Sequence, residues 1–459
     1  SKKLICTNPD LTVHRGDIEE YCAGTIAKIF ESIGGEIVYF GKPYKEVYEM
    51  CYSKEEKVIA IGDNLNTDIK GANQMKIDSI FISSGVHRSE FKQESELSEL
   101  YIKYKVNFIN HKTGKILYTC DVNNNMWTRA NIEYFVKWRI EVINKETNEI
   151  DFQYLYDNTD KRVYIHLDSS AIGDTLAWFP YVEEFRKKHN CKVICSTFHN
   201  EWFKDKYPEI EFSKPGIEVK DIYAMYSIGW HYDEDRKPNL NKIPIEFKKH
   251  PLGQSASSIL GLNYTEVKPE VVIPNKGQQI DGKYICIAPH ASAHAKYWNH
   301  SGGWQNIINY LKDQGYKVVM ITHERLGDEW HDSKLGGTLT GVIDKTGDYP
   351  IGDRMVDLKF ASGFIGLGSG LSWLSWAVGT PTILISGFSE PYSEFLDCER
   401  VFNYDEDVCT GCFNKEWLDP GDWEWCPNHK GTPRQFECTK TIKPSRVVQS
   451  INKILNIYK

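Results

Sequence analysis

"GFIGLGSGLSWLSWAVGTPTILISGFSEP", residues 363–391, contains two short apolar strands, "GFIGLG" and "TPTILIS", on either side of the helical segment "SGLSWLSWAVG". Strand, helix and strand in this order predict one unit of a parallel sheet whose faces are covered by helices. Gly368, Ser369 and Gly370 stand at the turn before the helix, where backbone N–H groups can approach the oxygens of a phosphate. The stretch therefore predicts an α/β fold with an anion site at this turn.

The same alternation extends upstream to about residue 162. Further buried parallel strands are predicted at "RVYIHL", "KVICST", "KYICIAP" and "KVVMITH", and helices at "DTLAWFPYVEEFRKKHN" and "WQNIINYLKDQG". The strands fall into two groups that are joined near residues 265–280. We therefore predict two doubly wound lobes that face a cleft, residues 161–270 and residues 271–400.

Three other regions complete the predicted organisation. Residues 1–100 alternate strands such as "GEIVYF" and "KVIAIGDN" with the helix "IEEYCAGTIAKIFESIG", which predicts a smaller α/β domain. Residues 105–160 contain alternating, hairpin-like runs and predict a small β-rich module, in which "NIEYFVKWRIEVI" is either a helix or a strand. Residues 401–459 hold a cysteine-rich segment and a C-terminal helix.

Composition limits the classes of partner. The 459 residues carry a net charge of −8, which argues against a nucleic-acid partner held by bulk charge but leaves anionic substrates open. No apolar run is long enough to span a membrane, and the start, "SKKLICTNPD", lacks the apolar core of a signal peptide. Most of the 12 cysteines are scattered, as expected for thiols in a reducing compartment, so we expect a cytoplasmic protein.

The first region carries three stretches that suit phosphate chemistry. "TNPD" occupies residues 7–10, Lys42 follows a predicted strand, and Asp63 and Asp68 follow the next one. Two carboxylates suit Mg²⁺ with a substrate phosphate, and the lysine would neutralise that phosphate. In this order the stretches resemble the haloacid-dehalogenase-like (HAD-like) sugar phosphatases over roughly the first ninety residues.

Members of that family use an aspartate nucleophile in an Asp-x-Asp motif, which does not precede "TNPD" here. Either the chain starts partway through a longer protein, or the region is a degenerate half that serves as scaffold; an inactive remnant is expected. Magnesium is expected only if the domain is complete. A sugar phosphatase with a nucleotide-sugar-binding C-terminal module is the alternative function, and an Asp-x-Asp motif upstream would favour it.

The turn "SSAIGDTLAW" places Gly173, Asp174 and Thr175 between a predicted strand and a helix. The backbone amides of a helix N-terminus favour anions, so this turn is a candidate substrate-binding site. The Asp174 carboxylate has two interpretations: a general base toward a hydroxyl, or a plain helix cap, which this turn alone favours.

"APHASAHAKYWN" follows another predicted strand and brings His290, Ser292, Lys296 and Trp298 into one loop. A lysine among small residues suits a diphosphate, and an aromatic ring can stack on a base or a sugar. Anion-binding turns after several parallel strands predict a nucleotide-sugar site at one edge of the sheets.

From about residue 162 onward the chain resembles the heptosyltransferases of lipopolysaccharide assembly, inverting enzymes with two Rossmann-like lobes (GT-B). The stretches "GDTLAWFPYVEEFRKKHNCKVICSTFHNEWF", "AKYWN" and "GLSWLSWAVGTPTILISGFS" are similar to the bacterial autotransporter heptosyltransferases, which move heptose from ADP-heptose to adhesin serines. The resemblance implies that Asp174 is the base and that Lys296 holds the diphosphate, supported by the turn Gly368–Leu371.

The same resemblance implies a nucleotide-heptose donor, an acceptor protein and a homo-oligomer. Two alternatives remain: a lipopolysaccharide-type enzyme that acts on a glycan, and a protein with a role in assembly only.

Cys409, Cys412, Cys426 and Cys438 lie within thirty residues. This spacing predicts a closed, all-thiolate site for structural zinc or iron, because four ligands leave no open position for a reacting group. The resemblance to the autotransporter heptosyltransferases implies iron. We also expect Trp417, Trp423 and Trp425 to pack around the site.

Overall fold

The computed structural model describes residues 3–15, 18–52, 57–82, 103–123, 126–417, 422 and 424–457. The chain divides into two compact units. The first comprises residues 1–131 and 136–157, and the second comprises residues 132–135 and 158–459. Trp423 and residues 83–102, which include the end of the predicted domain 1–100, lie outside the described residues.

In the N-terminal part of the first unit, the residues that the structure describes form three pairs of short strands. The parallel pairs are Lys3–Cys6 with Glu36–Tyr39 and Ile59–Gly62 with Asp78–Phe81, and the antiparallel pair is Thr12–Arg15 with Ile18–Tyr21. Among its described residues, the helices are Ala23–Ser32, Lys45–Glu49 and Lys70–Met75. The π-helical turn Leu65–Ile69 leads directly into the last of them.

One prediction here is wrong in part. The segment "IEEYCAGTIAKIFESIG" is not a single helix, because its first residues, Ile18–Tyr21, pair with the preceding strand and the helix begins only at Ala23. The Cys22 N–H donates to the Leu11 carbonyl at 2.8 Å, which closes this hairpin before the helix starts.

The later part of the first unit is one antiparallel sheet, which confirms the β-rich character predicted for residues 105–160. Its strands, in spatial order, are Ile150–Leu155, Trp138–Asn144, Tyr104–Asn110 and Ile116–Val122. Within "NIEYFVKWRIEVI" the helix alternative is wrong, because the second half is a strand. Its β-branched residues Ile140, Val142 and Ile143 favour an extended backbone over a helix.

The second unit contains two parallel sheets, as predicted for two doubly wound lobes. The first sheet has the order Glu211–Ser213, Lys192–Ser196, Arg162–Leu167 and Ala224–Ile228. The second sheet has the order Ile343–Asp344, Lys317–Met320, Tyr284–Ala288, Gly363–Leu367, Thr382–Ile385 and Glu399–Val401. Residues 263–283, which connect them, contain no regular helix or strand.

The helices of the second unit follow the strands in the predicted alternation. The α-helices are Ile172–Trp178, Pro180–His189, Leu252–Ile259, Gly303–Asp313, Glu329–Leu335, Ile351–Phe360, Gly370–Val378, Cys412–Lys415, Glu437–Lys440 and Pro444–Leu455. Short 3₁₀ turns span Asn200–Trp202, Phe247–Lys249, His294–Lys296 and Pro391–Ser393. The predicted helix at 174–190 is divided at Phe179, because Pro180 has no backbone N–H and begins a new helix.

The largest core lies around the second sheet. Strand residues such as Ile285 and Ile365 are almost fully buried there, and Val447 and Ile451 of the C-terminal helix belong to the same cluster. Burial of apolar side chains on both faces explains why these strands are continuous apolar runs in the sequence. Across the residues that the structure describes, none of the helices combines the length and apolarity that crossing a membrane would require.

Candidate active site

A cleft of about 670 Å³ opens in the second unit, at the carboxyl ends of strands from both parallel sheets. Residues 171–174 and Trp230 follow two strands of the first sheet, and the loop 290–296 and the turn 368–371 follow two strands of the second. In a parallel sheet the carboxyl ends of the strands meet at one edge, so loops that are distant in sequence converge there. This convergence gives the cleft its polar and charged groups.

Two helices, Ile172–Trp178 and Gly370–Val378, meet at this cleft through glycines. A Cβ atom on Gly370 would lie 2.9 Å from the Cβ of Ile172, and one on Gly173 would lie 3.0 Å from Cδ1 of Trp373. The distance at Gly370 is shorter than side chains normally approach, and a Cβ at Gly173 would require Trp373 to shift by a few tenths of an ångström. The two glycines therefore allow the helix N-termini to come this close.

Asp174 is the third residue of its helix and does not cap it. Its Oδ2 atom accepts hydrogen bonds from the Ser169 hydroxyl at 2.7 Å and the Trp230 indole N–H at 2.9 Å. Burial raises the pKa of the Asp174 carboxyl above its ordinary value, while these two hydrogen bonds and the charge of Lys296 act in the opposite direction. The interpretation of Asp174 as a plain helix cap is therefore wrong.

Lys296 lines the cleft from the loop of the second sheet, with its Nζ 3.4 Å from the Ser292 hydroxyl. Burial between the cleft walls lowers the pKa of the Lys296 ammonium, and the charges of Glu394 and Asp174 oppose this shift. Glu394 is itself compensated, because it accepts a hydrogen bond from Ser389 at 2.5 Å and pairs with Arg400 at 3.0 Å. Lys296 is thus placed to meet a negative group in the cleft.

The turn at Gly368 packs against the buried carboxylate of Glu394. A Cβ atom on Gly368 would lie 2.8 Å from Oε1 of Glu394, so a larger residue would displace either the turn or the Glu394–Arg400 pair. Gly368, Ser369, Gly370 and Leu371 all line the cleft, as do His290 and Ser292. The structure therefore brings these predicted residues together with Gly173, Asp174 and Lys296.

Two predicted residues lie elsewhere. Trp298 is fully buried in the core and donates its indole N–H to the Ile442 carbonyl, so the expected stacking on a substrate is corrected to a packing role. Thr175 is likewise buried, and its hydroxyl donates to the Ala171 carbonyl at 3.0 Å, one turn back in the helix. Neither side chain lines the cleft.

Sequence reasoning missed several residues of the site: Trp230, Glu394 and Phe413 line the cleft, and Ser169 donates to Asp174 from outside its lining. Trp230 had a usable signal, because it follows the strand Ala224–Ile228 at the same sheet edge as the predicted loops. Ser169 had none, since a serine before a helix is ordinarily read as a local cap.

The four clustered cysteines are neighbours in space. Cys409 Sγ and Cys412 Sγ lie 3.9 Å apart, and burial raises the pKa of the Cys438 thiol to about 12, with further upward effects from Cys426 and Cys409. Within the described residues, no set of three or more His, Cys, Asp or Glu side chains already has the arrangement of a metal site. Trp425 is buried against Phe388, whereas Trp417 is 44% exposed and so does not pack fully around the cysteines as predicted.

The three motif stretches of the first unit also meet. Oδ1 of Asp10 accepts hydrogen bonds from the Asn64 amide at 2.8 Å and the Thr67 hydroxyl at 2.7 Å, and Lys42 forms an ion pair with Asp68. Asp63 lies on the same loop. Roles for Lys42, Asp63 and Asp68 toward phosphate or magnesium remain predictions.

Two parallel sheets that share a cleft at their strand ends are the architecture of the two-lobed glycosyltransferases, and here an acid and a lysine from opposite sheets line that cleft. Residues 254–394 match the family model described as glycosyltransferase family 9 (heptosyltransferase), and residues 39–103 match a HAD-like hydrolase model. The ribonucleotide monophosphatase NagD of Escherichia coli is 32% identical over 88 residues, 18% of this chain and 34% of NagD.

The autotransporter heptosyltransferase BAHTCr of Citrobacter rodentium is 36% identical over 360 residues, which cover 77% of this chain and 85% of that protein. A crystal structure of TibC from enterotoxigenic E. coli, described as an iron-containing dodecameric glycosyltransferase, is 35% identical with a TM-score of 0.70, covering 78% of this chain and 92% of TibC. The chain belongs to the autotransporter heptosyltransferases and is a glycosyltransferase.

Proposed function

We propose that this protein transfers a heptose from ADP-heptose to a serine or threonine hydroxyl of an autotransporter protein, with inversion at the sugar carbon. One observation carries the proposal: Asp174 and Lys296 come from different sheets and line the same cleft. TibC, which covers most of this chain, has been crystallised with ADP-D-β-D-heptose, and its relatives are named autotransporter heptosyltransferases. These comparisons support the choice of donor and acceptor.

In the proposed reaction, the acceptor hydroxyl attacks the anomeric carbon of the heptose while the bond from that carbon to the diphosphate oxygen breaks. Asp174 accepts the hydroxyl proton. The bonding pair of the O–H bond stays on the acceptor oxygen, which uses a lone pair to form the new glycosidic bond. Burial favours an Asp174 carboxyl that holds a proton, which makes it a stronger base than an exposed aspartate.

The departing ADP takes the electron pair of the broken bond. Lys296 and the backbone N–H of Gly370, at the start of its helix, would stabilise this negative charge. Because the cleft walls exclude much of the water around Lys296, its charge acts on a diphosphate more strongly than it would in bulk solvent. Positioning and charge stabilisation together would lower the barrier.

Mass spectrometry of an autotransporter fragment provides the test. Incubation of the protein with ADP-heptose should add the mass of one heptose per modified site, with modified serines or threonines located by fragmentation. ADP-glucose serves as the control donor and should give little product. If heptose is added only to a lipopolysaccharide acceptor in a parallel reaction, the acceptor class proposed here is wrong.

We also propose that Cys409, Cys412, Cys426 and Cys438 hold a structural iron. Four thiolates are suitable donors, and the 3.9 Å between Cys409 Sγ and Cys412 Sγ is close to the edge of about 3.8 Å expected for a tetrahedron of metal–sulfur bonds. The description of TibC as iron-containing supports iron over zinc. The metal would fix a segment with little regular structure, and Phe413 of that segment lines the cleft.

Substitution of Cys409 tests this assignment. Cys409→Ser should lower the iron content and the melting temperature together, because a structural metal contributes directly to folding free energy. Cys120→Ser, which alters a half-buried thiol in the first unit, is the matched control and should retain its iron. Full metal occupancy in Cys409→Ser would contradict the four-cysteine site.

The proposed assembly is a homo-oligomer, by comparison with the dodecameric TibC. A cytoplasmic location is also proposed, supported by the 12 cysteines, none of which forms a disulfide.

A further inference from the structure

His290 is a buried polar residue of the cleft that the proposed chemistry does not use. His290 is one of the residues that line the cleft, and it is only 3% exposed. Its Nδ1 lies 3.2 Å from the Thr322 hydroxyl oxygen, whereas its Nε2 has no hydrogen-bond partner among the described residues. A buried ring nitrogen without a partner is unfavourable, so a group that binds in the cleft is expected to satisfy it.

The hydrogen bonds around Thr322 determine which ring nitrogen carries the proton. The Thr322 hydroxyl has a single hydrogen, which it donates to the Glu324 carbonyl at 3.0 Å. Thr322 can therefore only accept from His290, so Nδ1 must be protonated. In a neutral imidazole the other nitrogen, Nε2, then carries a lone pair and acts as an acceptor.

Burial supports this neutral form. It lowers the pKa of His290 well below the usual range, and the neighbouring His331, with its ring centre 5.3 Å away, acts in the same direction. Glu324 and Asp328 oppose the shift without reversing it. A neutral ring of this tautomer offers the cleft an acceptor and no positive charge.

We propose that His290 is a specificity residue of the cleft, whose Nε2 accepts a hydrogen bond from a hydroxyl or amino group of the nucleotide-sugar. A diphosphate does not satisfy it, because ionised phosphate oxygens are acceptors only. The cleft thus separates two tasks: Lys296 meets the charged diphosphate, and His290 recognises an uncharged, hydrogen-donating part of the same ligand. This inference rests on the proposed function for the identity of the ligand.

Two substitutions isolate the acceptor. In His290→Asn the amide nitrogen can still donate to Thr322, but no atom reaches the position of Nε2. In His290→Gln the amide oxygen can reach that position and accept. His331→Asn is the matched control, since His331 is a neighbouring histidine that does not line the cleft. Binding is measured by calorimetry on the full chain, with ADP-heptose, ADP and inorganic pyrophosphate as probes.

We expect His290→Asn to weaken ADP-heptose binding by about tenfold or more, as for a buried polar group that loses its partner. His290→Gln should recover part of that loss, and His331→Asn should bind like the unmodified protein. Pyrophosphate binding should be equal in all variants, which also shows that they are folded. If His290→Asn weakens the binding of ADP and ADP-heptose equally, the donated hydrogen belongs to the nucleoside. If it weakens the binding of ADP-heptose alone, the hydrogen belongs to the heptose.

Unchanged ADP-heptose binding in His290→Asn would overturn the inference, as would an equal loss of pyrophosphate binding or an equal loss in His331→Asn. These results leave the proposed function intact if the unmodified protein still transfers heptose. Failure of the unmodified protein to bind ADP-heptose would instead remove the proposed function, and this inference with it.

Discussion

Each of the two units contains an acid and a lysine at the carboxyl ends of parallel strands, but the two pairs differ in geometry. In the first unit Lys42 and the buried Asp68 contact each other in a direct ion pair. In the second unit Asp174 and Lys296 line one cleft, and each is held by other groups. Opposite charges in contact neutralise each other, whereas charges held apart remain available to a substrate between them.

The separation in the second unit has identifiable causes. Ser169 and Trp230 hold one oxygen of Asp174, and Lys296 lies beside Ser292 on a loop of the other sheet. Close packing at Gly370 against Ile172 fixes the distance between the turn that carries Asp174 and the turn at residues 368–371 of the other sheet. We therefore expect a structural role for the pair in the first unit and propose a chemical role for the pair in the second, because their supporting contacts differ.

The largest expected effect comes from removing the charge of Asp174. Asp174→Asn keeps the side-chain shape but cannot accept a proton, so we expect the transfer rate to fall by about 10²–10⁴-fold, the usual contribution of a general base. ADP-heptose affinity measured by calorimetry should change little. Asp168→Asn, an exposed acid on the preceding loop, is the matched control. A transfer rate for Asp174→Asn equal to that of this control would remove the base assignment.

The sequence predicts most of the framework of the second unit for a physical reason. Its strands are buried on both faces, so runs such as Tyr284–Ala288 and Thr382–Ile385 are continuously apolar and easily recognised. Turns that follow such strands must share one edge of the sheet, so Asp174, Lys296 and the turn at Gly368 could be placed near one another without coordinates.

The remaining contacts depend on tertiary geometry that local patterns do not contain. Trp298 follows Lys296 by two positions, but the 3₁₀ turn His294–Lys296 directs it into the core. Trp230 reaches Asp174 across 56 positions of sequence, and no local periodicity reports such a distance. The strand Ile18–Tyr21 was obscured because a hairpin contact outweighs the helical pattern that continues through it.

A smaller effect is expected from the indole that holds Asp174. Trp230→Phe removes a hydrogen bond that lowers the pKa of Asp174, so the pKa should rise further. Only the ionised carboxylate accepts a proton. As the pH falls, the variant should therefore lose transfer at a pH about one unit higher than the unmodified protein does, the shift expected for the loss of one hydrogen bond to a charged group. The pH profile of kcat/KM measures this shift.

Trp178→Phe provides the control for this profile, because its indole N–H donates to the Leu252 carbonyl and not to Asp174. It should lower stability without moving the acid limb of the profile. An equal shift in both variants would show that Trp230 acts through general packing and that the hydrogen bond to Asp174 has no special role.

The smallest effect on transfer is expected where the charges already compensate each other. Lys42→Met leaves Asp68 buried without its partner, which should destabilise the first unit by about 1–3 kcal/mol, less than for a fully buried pair because Lys42 is half-exposed. Calorimetric melting measures this change, and Lys45→Met, which removes a long contact of 4.0 Å to Glu49, is the matched control. Heptose transfer should be unchanged in both variants. The contradicting outcome is a loss of transfer in Lys42→Met alone, at a temperature where the first unit remains folded. It would mean that this ion pair contributes to the glycosyltransferase reaction. The contrast between the two pairs would then be wrong.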